Sequence, residues 1–166
     1  MQVLTRTDLA GFVGRLVANE LPGGRGIGAW RSLLGAHATL MRQLETDLEQ
    51  QTGLALADYD VLAQLAIADG GLRMTELANR ALISRSGMTR RVARLVDEGL
   101  VRRADAGADG RGVVVALTDA GVARLAETTP IHAHGIAEYF VSRLDDLELA
   151  VLESALDKVT VDCTFG

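Results

Sequence analysis

The stretch ADGRGVVVALTDAG, residues 108–121, breaks with everything around it. Elsewhere the apolar residues recur every three or four positions. Here Val113, Val114, Val115, Ala116 and Leu117 run consecutively, just after Arg111, which is flanked by Gly110 and Gly112. A β-branched run behind a glycine-bearing turn reads as the return strand of a hairpin. Glycines suit a turn whose backbone must approach something closely. Val101-Arg102-Arg103 supplies the outgoing strand and Ala104 to Gly112 the turn. The fold must therefore place one small hairpin, with a cation at its tip, in an otherwise helical chain.

The helices follow from spacing. Leu9, Phe12, Val13, Leu16 and Val17 mark a short helix over residues 7–21, with Thr7 as its cap, and Pro22 to Gly28 break it. The loose glycine pattern in that break has no strand before it and no acidic ribose partner, so it reads as a connector rather than a nucleotide site. Trp30, Leu33, Leu34, Leu40, Met41, Leu44 and Leu48 make one long amphipathic helix from Ala29 to Gln51, and Gly53 ends it. A second helix covers Ala57 to Ala68, with Tyr59, Leu62 and Leu65 inward. A short third runs from Thr75 to Arg80. Ser84 then caps a helix that reaches Glu98, with Met88, Val92, Leu95 and Val96 on its apolar face. At 100° per residue its opposite face centres on Ser86, Arg90 and Arg94, with Thr89 at the edge and Arg85 near the start. After the hairpin Thr118 caps another helix, which Pro130 is expected to kink or split. The last begins near Asp145, where Asp145 and Glu148 form a capping-box pair, and its stripe is Leu149, Leu152, Leu156 and Val159.

Charge says which surface matters. The chain has a net charge of −5, which alone disfavours nucleic acid. Residues 80–103 nevertheless hold seven arginines against two acids, Asp97 and Glu98, on a body that is otherwise strongly acidic. A local basic patch on an acidic body is the footprint of an anion-binding face. Two short helices, a turn, a polar-faced helix and a hairpin make a winged helix-turn-helix over residues 56–118. The patch falls on the elements with which that architecture meets DNA. The fold class is thus mainly α with a small β-hairpin wing.

These residues resemble the MarR-type (multiple antibiotic resistance) regulators. Asp109-Gly110-Arg111 and Leu117-Thr118-Asp119-Ala120-Gly121 match the wing signature of that family, D-x-R followed by L-T-x-x-G. Thr75-Glu76-Leu77-Ala78, Met88-Thr89-Arg90 and the run from Leu95 to Val101 are similar to its helix-turn-helix core. The resemblance spans residues 29–160; residues 1–28 form an N-terminal extension with a short helix. It implies an obligate homodimer built from residues 29–55 and 119–162. It also implies a pseudo-palindromic double-stranded operator, usually a repressor role, and release by a small aromatic acid. Arg111 corresponds to the wing-tip arginine of the minor groove, where narrow A·T tracts concentrate negative potential. Asp109 orients it or closes the turn. Arg90 and Arg94 read or clamp the major groove, where arginine pairs with guanine in bidentate fashion. Arg85 lies beside them, and Ser84, Ser86 and Thr89 offer hydroxyls to phosphates near a helix N-terminus.

Other groups carry less. Trp30 and His37 share one helix face, with Arg31 nearby. They are either dimer core or the wall of an effector pocket, for which relatives that respond to aromatic acids use a tryptophan. His132 and His134 stand 200° apart on a helix, which forbids a shared metal from one face. The single cysteine, Cys163, permits no internal disulfide and sits too late to match the sensor cysteines of relatives. With no apolar run of ~20 residues and no basic-then-apolar start, neither a membrane span nor a secretion signal is expected, and the location is expected to be cytoplasmic. No nucleophile–base set, metal-ligand spacing or phosphate loop is present, so no enzyme, cofactor or metal is expected. The competing reading is a winged helix used only for protein–protein contact.

Overall fold

The computed structural model describes residues 11, 13–15, 21, 26–68, 71–105 and 113–161. The wing tip with Asp109 and Arg111 lies outside the described residues, as do Cys163 and most of the helix expected over 7–21. The chain divides into two units, residues 1–41 and 42–166.

In the first unit the described structure is mainly the start of a long helix, α1, Ile27–Thr52. Trp30 is 55% exposed, and Leu33 and Leu34 are exposed beside it. Arg31 and His37 are exposed too.

The second unit opens with the end of α1. Leu44 and Leu48 are its buried residues, one turn apart as the spacing requires. Gly53 has φ 70° and donates its N–H to the Glu49 carbonyl, which lets the chain turn out of the helix. Arg124 adds a side-chain donor to the Thr52 carbonyl, another of the acceptors that a helix end leaves open. A Glu45 carboxylate oxygen then accepts the Leu56 N–H at 2.9 Å and so caps the start of α2, Leu56–Ile67.

A two-residue strand, β1 (Leu72–Arg73), leads into α3 (Met74–Arg80), which a turn joins to α4 (Arg85–Asp97). Strands β2 (Val101–Asp105) and β3 (Val113–Leu117) pair antiparallel, with Arg103 opposite Val115. The sheet has three strands in the order β1-β3-β2, because Leu72 pairs with Val115 and Arg73 with Val114. The expected hairpin thus gains a third strand that is too short to show a period in sequence. The core gathers Leu48, Val61, Leu62, Leu77, Met88, Val92, Leu95 and Val115, all fully buried.

Helix α5 spans Asp119–Tyr139. Of the two expected effects of Pro130, a kink or a split, the split does not occur: the helix runs unbroken through the proline. Thr129 and His132, on either side of the proline, both reach Tyr59 on α2, so packing holds the helix across the missing N–H. A single 3-10 turn, Val141–Arg143, leads to α6, Asp146–Val161. Its start is the expected reciprocal box: the Glu148 N–H donates to Asp145 Oδ1 at 2.8 Å and the Asp145 N–H to Glu148 Oε2 at 2.9 Å. Among the described residues no helix is long and apolar enough to cross a membrane, and no group of three or more His, Cys, Asp or Glu could hold a metal ion.

Candidate nucleic-acid interface

Helix α4 is amphipathic in a strict sense. Met88, Val92 and Leu95 lie at i, i+4 and i+7 and are completely buried. Ser84 precedes the helix and accepts the Gly87 N–H at 3.2 Å, the cap expected from sequence. The turn from α3 passes through Leu82 at φ 54°, the one non-glycine residue with positive φ among the described residues. That conformation crowds a branched side chain, and it sets the angle at which α4 leaves α3.

The seven arginines of residues 80–103 do not behave alike. Arg80 pairs with Glu76 one turn back on α3, at 2.7 Å. Arg91 and Arg94 both turn back to Asp58 on α2. Arg91 Nη1 donates to Asp58 Oδ1 at 2.5 Å, and Arg94 Nη2 reaches both carboxylate oxygens at 2.6 and 2.5 Å. Asp58 is only 4% exposed, so its charge is costly without partners, and two guanidiniums meet it. The hydrogen bonds to Asp58 raise Arg94 above the ordinary arginine range. Arg94 also lies 3.8 Å from Glu98. The residue expected beside Arg90 on the open face is therefore tied inward, although half of its side chain stays exposed.

Arg85, Arg90, Arg102 and Arg103 are exposed and have no ion-pair partner among the described residues. Ser84, Ser86 and Thr89 are exposed beside them. Thr89 donates its hydroxyl proton to the Arg85 carbonyl at 2.9 Å, which leaves its oxygen as an acceptor only. Ser84 and Ser86 approach to 3.4 Å.

The Leu-Thr-x-x-Gly segment has a mechanical role. Thr118 Oγ1 donates to the Gly99 carbonyl at 2.6 Å and accepts the Gly121 N–H at 3.0 Å. A Cβ on Gly121 would stand 2.0 Å from the Leu100 carbonyl oxygen. Only glycine lets α5 come this close to the end of α4, and the wing strands leave from that knot.

Sequence reasoning missed Asp58. The signal was there: Asp58, Leu62 and Leu65 stand at i, i+4 and i+7, so an acid occupies the apolar stripe of α2. An acid in such a stripe needs a buried counterion, and α4 supplies two.

Comparison with known proteins agrees with this geometry. A family model described as the MarR family matches residues 52–112. Sco3205 of Streptomyces coelicolor, a MarR family transcriptional regulator solved in complex with DNA, is 34% identical; the match covers 83% of this chain and 90% of that one, with a TM-score of 0.76. The chain belongs to the MarR family of transcriptional regulators. AbsC, another MarR family regulator from S. coelicolor, is 28% identical over 96% of both chains, with a TM-score of 0.74. A mutant MarR from E. coli complexed with operator DNA is 28% identical, covers 80% of this chain and 94% of its own, and has a TM-score of 0.71. The helical body and small three-stranded antiparallel sheet found here are consistent with a winged helix of that family.

Proposed function

We propose that this MarR family chain binds a pseudo-palindromic double-stranded operator as a homodimer and acts as a ligand-responsive repressor. The observation that carries the DNA reading is the division of α4. Its buried side is pinned by Met88, Val92, Leu95 and the Asp58 clamp, while Arg85 and Arg90 stand outward with no ion-pair partner among the described residues. In this reading Arg90 reads a base and Arg85 a phosphate. Ser84, Ser86 and Thr89 line the backbone, and Arg111, oriented by Asp109, enters the minor groove. Arg94 positions α4 first and touches DNA only with what remains exposed. Titration of fluorescent duplexes selected by the protein from a randomised pool tests this. Arg90→Ala weakens binding by about 1–3 kcal/mol and relaxes one base pair per half-site. A chain that selects no duplex, or an Arg90→Ala variant indistinguishable from wild type, overturns it.

The dimer reading assigns residues 56–118 to DNA and residues 29–55 and 119–162 to the partner. It is supported by Leu147, Val151 and Val159 of α6, which are 72%, 60% and 58% exposed in the single chain. Three large apolar side chains left exposed on one helix suit an interaction surface. The effector reading, a small aromatic acid held by Trp30, Arg31 and His37, is supported by the exposure of all three on α1. Trp30 is the only tryptophan, so its fluorescence reports binding directly. Salicylate or urate that releases DNA without changing that fluorescence places the pocket elsewhere.

A further inference from the structure

The packing of α5 on α2 contains an imidazole that the nucleic-acid surface does not use. The His132 ring lies 4.5 Å from the Tyr59 ring, centroid to centroid, with the planes tilted by 45°. Its Nδ1 is buried and meets no hydrogen-bond partner among the described residues. One turn earlier Thr129 Oγ1 lies 3.5 Å from the Tyr59 hydroxyl. Tyr59 directly follows Asp58, the carboxylate that holds Arg91 and Arg94 of α4. The side chain that α5 rests on is thus the neighbour of the side chain that seats α4.

The charged groups around this contact come from three other helices. Asp60 on α2 acts on His132 directly. Asp60 itself faces Glu45 of α1 and Arg91 of α4. On α5 itself, His134 is exposed and pairs with Glu138 at 3.3 Å. A neutral His132 protonated at Nε2 leaves Nδ1 as a bare acceptor, which costs little. Protonation adds a buried N–H at Nδ1 without an acceptor among the described residues and sets a cation against an aromatic ring. Burial accordingly lowers His132 below the ordinary histidine range, and Asp60 offsets this only in part. Burial also raises Asp60, which makes it a weaker counterion as the pH falls.

We propose that His132 is a proton-sensitive latch: neutral, it packs on Tyr59 and keeps Asp58 seated between Arg91 and Arg94, and protonated, it leaves that contact and frees α4, which weakens DNA binding. The latch rests on the DNA-binding reading above. The sign follows from linkage. The packed state has the lower histidine pKa and so binds fewer protons than the open state. Falling pH therefore favours the open state, starting near the ordinary histidine value of about 6.5. The penalty grows until the pH reaches the packed-state value and is constant below it.

The test uses the full chain, whose three histidines, His37, His132 and His134, are few enough to assign by single His→Gln variants in an NMR titration. Amide hydrogen exchange of α2 and α4, corrected for intrinsic rates, is compared at pH 7.5 and 5.5. Affinity for a duplex selected from a randomised pool at pH 7.5 is measured in parallel. Wild type and His134→Gln lose protection in α4 and bind DNA at least about threefold more weakly at pH 5.5. His132→Phe keeps a ring on Tyr59 without a titrating group, and its pH response is flat in both measurements. His132→Gln removes the titration without the ring and is flat as well. The latch is overturned if α4 protection in wild type is the same at both pH values, or if His132→Phe and His132→Gln respond as wild type does. A chain that binds no duplex at pH 7.5 overturns the DNA reading instead, and the exchange measurement still decides the latch.

Discussion

Helices α4 and α6 are both amphipathic, and only one of them finishes its packing among the described residues. In α4 the residues Met88, Val92 and Leu95 are fully buried beneath α2, α3 and the sheet. In α6 none of the stripe Leu149, Leu152, Leu156 and Val159 reaches that state: the three leucines are half-buried and Val159 is exposed, as are Leu147 and Val151 on another face of the helix. The same periodic signal therefore has two physical meanings. Within the winged helix the apolar face meets partners from the same chain, so α4 is rigid enough to present a fixed polar face. In α6 the apolar face has no such cover among the described residues, which is why the proposed dimer contact is placed there.

The contrast breaks most sharply in the core. Leu95→Ala removes a fully buried side chain and lowers unfolding free energy by about 2–5 kcal/mol in chemical denaturation. Val159→Glu places a charge on the exposed end of the α6 stripe, leaves the helical circular dichroism signal in place and converts the proposed dimer to monomer in sedimentation. An unchanged sedimentation coefficient contradicts the assignment of α6. Asp58→Ala comes next. It strips two arginines of their shared acceptor and costs about 1–3 kcal/mol, less than a deeply buried pair because both guanidiniums reach solvent. It weakens DNA binding as well, although Asp58 itself faces inward. Equal stability of Asp58→Ala and wild type contradicts the clamp. Thr118→Ala removes a helix cap and the bond to the Gly99 carbonyl, for a loss of about 0.5–2 kcal/mol in thermal unfolding. The wing loosens before the core does, so exchange in β2 and β3 rises first.

Features set by neighbours in sequence were legible beforehand. The caps at Ser84 and Thr118 and the box at Asp145 and Glu148 depend on residues three positions apart, and each forms as read. Strand β3 is Val113–Leu117 as expected, because five consecutive apolar residues behind a turn leave few alternatives. What was not legible depends on distant partners. Strand β1 has two residues, too few to carry a period, and exists because Val114 and Val115 offer it an edge. Pro130 stays helical because Tyr59, some 70 residues earlier, is touched from both sides of it. The Asp58 pairs join residues 33 and 36 apart, so a face drawn from α4 alone put Arg94 with Arg90. The basic surplus was visible from composition, but which arginines are spent on holding the helix was not.

Arg90 and Arg91 are adjacent in sequence and stand in opposite roles, which makes them the most direct test. Arg90 is exposed and has no ion-pair partner among the described residues, whereas Arg91 is held by Asp58 with only 24% of its side chain exposed. The measurement is the slope of log affinity against log salt concentration for Arg90→Ala and Arg91→Ala on one selected duplex, with the unfolding free energy of each variant. Arg90→Ala is predicted to stay within about 0.5 kcal/mol of wild-type stability. It loses about 1–3 kcal/mol of binding while its salt slope stays near that of wild type if it reads a base, or falls by about one if it neutralises a phosphate. Arg91→Ala is predicted to lose stability first, with a salt slope like that of wild type. If instead Arg91→Ala lowers the slope at full stability while Arg90→Ala changes neither quantity, the outward and inward faces of α4 have been assigned the wrong way round.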